Sequence, residues 1–156
     1  MKLALKTAPS VEPVTKALIN TTSAQAVFDY DLNAESNTTY LIKGSLNLSG
    51  LATVSTTIAL SLLGTAVISS FEIKTFALKQ GLNPPQMTSV TSNPTTITTP
   101  SAVSVARVVF EGIVRVTTAG TIKPSLAFSS ATSTMQVDVN AIFTHEKIGN
   151  ETVTTF

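Results

Sequence analysis

Apolar and polar residues alternate along most of this chain. In TTYLIKGSLNL, Tyr40, Ile42, Leu46 and Leu48 share one parity, and Lys43, Ser45 and Asn47 the other. Successive side chains of a strand point to opposite faces, so this is the pattern of a half-buried strand. Val54, Ile58, Leu60 and Leu62 repeat the phase against Thr53, Ser55 and Thr57, with a turn centred on Gly50 between the two runs. The next run, AVISSFEIKTFALK, loses its phase between Ile73 and Phe76. A β-bulge at Lys74 or Thr75 is expected there, or else two shorter strands.

Between Gln80 and Ala106 the chain has no charged residue and holds Pro84, Pro85, Pro94 and Pro100. Proline cannot donate to a sheet ladder, so this stretch reads as a long connection carrying one edge strand near Met87–Val90. A hairpin follows. Ala106, Val108, Phe110, Val114 and Val116 face one way, with Gly112 among them; Val105, Arg107, Val109, Glu111, Ile113 and Arg115 face the other. Past the Ala119-Gly120 turn, Ile122, Pro124, Leu126 and Phe128 alternate with Thr121, Lys123 and Ser125. In TMQVDVNAIFTH, Met135, Val137, Val139 and Phe143 share a face opposite Gln136, Asp138 and Asn140. Earlier, AVFDYDL offers Ala26, Phe28 and Tyr30 as a strand face, and PVTKALI fits a strand or one helical turn from Pro13.

No segment sustains the three-four spacing of a helix. Roughly eight short strands separated by turn signals make an all-β antiparallel sandwich or barrel. Tyr40, Ile42, Leu60, Phe110, Val114, Leu126 and Val137 are its expected common core.

Composition narrows the partners. The 156 residues fit one domain, and 43% are hydrophobic, which is ample for a core. Only 12% are charged, about half the usual ~25%; 26 threonines and 17 serines cover the surface instead. Threonine is β-branched and suits a pleated surface. Ten basic residues against nine acidic ones give +1, and the basic ones are scattered from Lys2 to Lys147. Nucleic-acid binding draws on concentrated positive charge, so no nucleic-acid partner is expected. Without cysteine there are no disulfides or thiolate metal sites. The longest apolar stretch, Ile58 to Ile68, is interrupted by Ser61, Gly64 and Thr65 and is too short for a membrane helix. MKLALKTAPS carries only a short Leu-Ala-Leu patch, below the ~7–15 apolar residues of a signal peptide. A soluble protein without an export address is expected.

Catalytic chemistry finds little to work with. His145 is the one histidine, with Asp138 the nearest acid on its strand, and no Gly-x-Ser-x-Gly elbow accompanies them. An exposed histidine near a strand end is the simpler reading. Asp29, Asp31 and Glu35 form the one acidic cluster, but they lack the Asp/Asn-rich loop and glycine of a calcium motif. Glu72 and Glu111 are the mid-strand glutamates; each has basic neighbours (Lys74; Arg107 and Arg115), so surface ion pairs account for them without a glycosidase cleft. Asn20, Asn37, Asn47 and Asn150 open Asn-x-Ser/Thr triplets, which chance supplies in so Thr-rich a chain. No catalytic, cofactor-binding or metal-ligating residue is expected.

The order of segments carries more. NTTYLIKGSLNLSG (37–50), a Ser/Thr-rich strand pair (53–78), a Pro/Thr-rich middle and RVVFEGIVRVTTAGTIKPSLAFSSATSTMQVDVNAIFTHE (107–146) follow one another. The set resembles a β-sandwich domain of tailed-bacteriophage virion proteins. Tyr40, Gly112, the Ala119-Gly120-Thr121-Ile122 turn and the small-residue run Ser129 to Thr134 carry the resemblance, over about residues 26–146. The Gly-Ser pair of that family before its last strand is absent, with Met135 in that region. The resemblance implies a jelly roll like those of tumour-necrosis-factor-like proteins, often trimeric, found as head decoration (cement) proteins and as terminal domains of fibres or spikes.

No heptads of a fibre shaft are present, so the expected role is a decoration protein. It would be made in the host cytoplasm, sit on the outer capsid surface and crosslink major capsid protein subunits. A tail-fibre receptor- or carbohydrate-binding module is the alternative. The expected organisation is a mobile arm over 1–24, the sandwich over 25–150 and a tail over 151–156. Val105, Arg107, Val109, Glu111, Ile113 and Arg115 are the candidate subunit contact of a homotrimer, with Glu111 meeting an arginine across or near it. Lys2, Lys6 and Lys16 belong to the arm as a candidate clip.

Overall fold

The computed structural model describes residues 10–11, 16–18, 21–51, 57–79, 86–91, 95–96, 106–130 and 132–149. These form β1 (Ser10–Val11), β2 (Lys16–Ala17), β3 (Gln25–Ala26), β4 (Leu32–Ala34), β5 (Thr38–Ser49), β6 (Ile58–Leu63), β7 (Val67–Lys79), β8 (Gln86–Val90), β9 (Thr95–Thr96), β10 (Ala106–Thr118), β11 (Gly120–Phe128), β12 (Gln136–Val137) and β13 (Ile142–Gly149). The larger sheet runs β1-β13-β5-β10-β7-β8; the smaller runs β3-β11-β6-β9, with β4 also on β11. The small β12 joins β5 to β2.

The pairing is nested. β1 pairs with β13, β3 with β11, β5 with β10 and β6 with β9, all antiparallel. Successive nested pairs alternate between the two sheets, which is the path of a long hairpin rolled into a sandwich, a jelly roll. The β7–β8 hairpin is an addition on the far side of β10.

Inward positions of both sheets meet in one core. Tyr40, Ile42, Leu60, Phe110, Val114, Leu126 and Val137 are all buried in it, as the alternation predicts. Phe28, which follows β3, reaches Phe143 of the opposite sheet with ring centroids 5.5 Å apart, and Phe110 lies 6.3 Å from Phe143. Gly44 stands between Phe110 and Phe143 in register. A Cβ at Gly44 would overlap the Phe110 ring, so the missing side chain gives that ring its place. Pro124 is tolerated within β11 because its carbonyl, and hence its nitrogen, faces the short β3, where Val27 N–H donates to Pro124 O at 3.1 Å.

Four expectations need correction. The phase slip at Ile73–Phe76 is no bulge: β7 keeps unbroken register with β10 from Lys79 to Ser70, and the irregularities lie nearer its start, opposite Arg115–Thr118. Thr75 takes the inward, buried position opposite Phe110, and Phe76 faces out. β-Branched threonine fills an inward site much as valine does, so apolar phase alone misplaces it. Val139 is exposed, because Asn140 in left-handed conformation (φ 67) ends the run and Ala141 is buried in its place. Tyr30 is also exposed; β3 ends at Ala26, and Val27 and Phe28 are buried consecutively. The Pro-rich stretch holds edge strand β8 as expected, but also the two-residue β9.

Within the N-terminal segment, β1 lies along β13 and β2 along β12, and Leu18 N–H donates to Met135 O at 2.9 Å. Lys2, Lys6, Val54, Val105, Asn20, Asn150 and residues 151–156 lie outside the described residues.

Candidate interaction face

The outward positions of the larger sheet form the candidate site. Register aligns them in rows across the strands. One row is Ile142, Ser45, Val109 and Phe76; the next is Thr144, Lys43, Glu111, Lys74 and Ser89; the third is Glu146, Leu41, Ile113 and Glu72. Arg107 and Arg115 lie beyond the outer rows on β10. Arg107, Val109, Glu111, Ile113 and Arg115 therefore do share one face, as the sequence predicts.

Aliphatic exposure on this face is considerable. Ile113 is 46% and Ile142 39% exposed. Two shallow depressions flank Glu111. One, of about 360 Å³, is lined by Leu41, Glu72, Lys74, Glu111, Gly112 and Ile113. The other, of about 200 Å³, includes Lys43, Ser45, Val109, Ile142 and Thr144. Charge of both signs frames the apolar positions, a composition suited to contact with another protein surface.

Within the chain Glu111 pairs with Lys43 (Oε1–Nζ 2.8 Å), its cross-strand neighbour, rather than with an arginine of its own strand. Cross-strand neighbours are closer than residues four apart along an extended strand. Arg115 Nη1 donates instead to Thr39 Oγ1 at 3.0 Å.

The other candidates disperse. His145 is not an exposed histidine: at 8% exposure it is buried, with Tyr30 stacked on it at 5.9 Å and Phe143 and Tyr40 at 6.2 and 6.4 Å. Burial lowers its pKa from the ordinary value by penalising the charged ring. Asp138 belongs to a different place. It accepts hydrogen bonds from Ser49 Oγ at 2.6 Å and Gln136 Nε2 at 3.2 Å, and its amide meets Asn47. His145 pairs with Ile42, five residues along β5 and so roughly 16 Å away. A histidine–acid pair is not assembled.

Asp31 pairs with Lys123 (2.8 Å) and Glu35 with Lys147 (2.6 Å), so the acidic cluster is divided between two lysines. Glu35 holds the Lys147 pKa above its usual value, chiefly through that hydrogen bond. Among the described residues, no group of three His, Asp or Glu side chains could hold a metal ion. Glu72 and Glu111 line one depression side by side on an open sheet face, not on opposite sides of a cleft. Asn37, in left-handed conformation, and Asn47 are exposed.

Leu41, Phe76 and Ile142 complete the face, and reading strands one at a time does not find them. Each sits out of phase with its own strand's core pattern, and that displacement is the available signal. No protein-family model and no curated protein sequence matches this chain.

Proposed function

We propose that this protein is a capsid decoration protein of a tailed bacteriophage, a trimer on the outer shell that stiffens it by crosslinking major capsid protein subunits. The reading rests on the resemblance of residues 37–50 and 107–146 to virion β-sandwich domains. The observation that carries its docking element is the outward face of β13, β5, β10 and β7. A sheet face turned only to water has little reason to present Ile113, Ile142, Val109, Leu41 and Phe76 together. Covering them contributes hydrophobic stabilisation, and Lys43, Lys74, Glu72, Glu111 and Glu146 select a partner of complementary charge pattern. Such a protein works by contact, without turnover. Modest affinity per subunit multiplies when a trimer engages three neighbouring shell subunits at once.

The test is cosedimentation with purified expanded capsids. Saturable binding at fixed stoichiometry, with raised capsid resistance to heat, supports decoration. Binding to host cells or glycans with none to capsids supports the receptor- or carbohydrate-binding alternative. Light scattering that finds a strict monomer both on and off the capsid removes the trimer.

A further inference from the structure

We infer that residues 5–9 are a built-in guard for the edge of β13, continuing β1 in antiparallel register from Ser10 toward Leu5. The inference is independent of the capsid reading. β13 pairs with β5 along nearly its whole length, from Ile142 to Gly149. On its other side, among the described residues, only Ile142 and Phe143 have a partner, Val11 and Ser10. The remaining edge runs from Thr144 to Gly149 and carries exposed Glu146 and Ile148, the latter 50% exposed. Open edges of this kind recruit other strands, and proteins commonly cover them.

The occupant follows from direction. Because β1 is antiparallel to β13, the chain before Ser10 heads along this edge, and nine residues precede Ser10. The same register sets Pro9 opposite Thr144, Ala8 opposite His145, Thr7 opposite Glu146, Lys6 opposite Lys147 and Leu5 opposite Ile148. Leu5 matches the exposed Ile148. The Glu35 carboxylate, 2.6 Å from Lys147 Nζ, supplies the counter-charge that Lys6 requires there. Pro9 has no N–H, so it fits only a pair that exchanges no hydrogen bonds with β13. Alternation then fixes the rest: Thr7–Glu146 and Leu5–Ile148 are also non-hydrogen-bonded pairs, whereas Ala8–His145 and Lys6–Lys147 exchange hydrogen bonds. Displacing the guard would open the same edge to an extended segment of a neighbouring subunit.

Amide hydrogen exchange on the full chain and on a chain lacking residues 2–9 tests this. His145 and Lys147 amides should exchange at least tenfold faster in the truncated chain, with β10 unchanged. Equal exchange in the two chains overturns the proposal. Should truncation prevent folding, disulfide trapping in the full chain decides, since the protein has no cysteine of its own. Non-hydrogen-bonded pairs bring Cα atoms to ~4.5 Å, within disulfide range. Thr7→Cys with Glu146→Cys should oxidise to an intrachain disulfide, and the out-of-register Thr7→Cys with Thr144→Cys should not. Disulfide-linked dimers, or equal oxidation of both pairs, would overturn it.

Discussion

Phe110 and Gly44 should behave as one unit. Phe110 is 1% exposed, and its ring occupies the space that a side chain at Gly44 would take. Phe110→Ala removes a buried aromatic ring and should destabilise by ~3–5 kcal/mol. That is survivable for a domain whose total stability is on the order of 5–15 kcal/mol. Gly44→Ala alone forces a methyl group into a ring held from the other side by Phe143 and should cost ~1–3 kcal/mol. In the Phe110→Ala background the obstruction is gone. There the methyl group fills part of the void and lowers the chain entropy of the unfolded state, so Gly44→Ala should be neutral or slightly stabilising. The double mutant should thus be more stable than the sum of the singles by ~1–3 kcal/mol. Urea unfolding of the four proteins, compared at constant m, measures this. Additivity within ~0.5 kcal/mol would show that the ring does not depend on the absent side chain.

His145 makes stability depend on pH. Its folded pKa lies below the ~6.5 of the unfolded chain, so the unfolded state takes up the proton first and stability falls as pH drops from about 6.5 toward the folded pKa. Unfolding midpoints across that window should show this slope, and His145→Gln should flatten it; an unchanged slope would assign it elsewhere. The Lys43–Glu111 pair is solvent-exposed, so Glu111→Ala should change stability by less than ~1 kcal/mol in urea unfolding; a larger loss would mean that the pair holds the sheet together.

The sandwich was legible because alternation survives wherever one face of a strand is buried, as in β5, β10 and β11. It failed where an inward site is polar, as at Thr75, or where a turn residue such as Asn140 cuts a run that keeps its parity. The nested pairing is a relation between strands far apart in sequence, and single-strand patterns do not contain it. The candidate face was half legible for the same reason. Arg107 to Arg115 declare themselves on one strand, whereas Leu41, Phe76 and Ile142 become their neighbours only through register with β5, β7 and β13. His145 could not be placed from sequence, because its burial depends on Tyr30 folding over it.

Capsid binding by two exposed-site variants separates docking through this face from adhesion by any apolar surface. Ile113→Asp places a charge at the centre of the face, at a side chain exposed enough for the fold to tolerate it. Leu63→Asp does the same on the smaller sheet, where Leu63 is 43% exposed. With both variants folded by circular dichroism, titration against expanded capsids should show Ile113→Asp weakened at least tenfold, about 1.4 kcal/mol, and Leu63→Asp unchanged. Wild-type affinity in Ile113→Asp, or an equal loss in both variants, would contradict docking through the β13-β5-β10-β7 face.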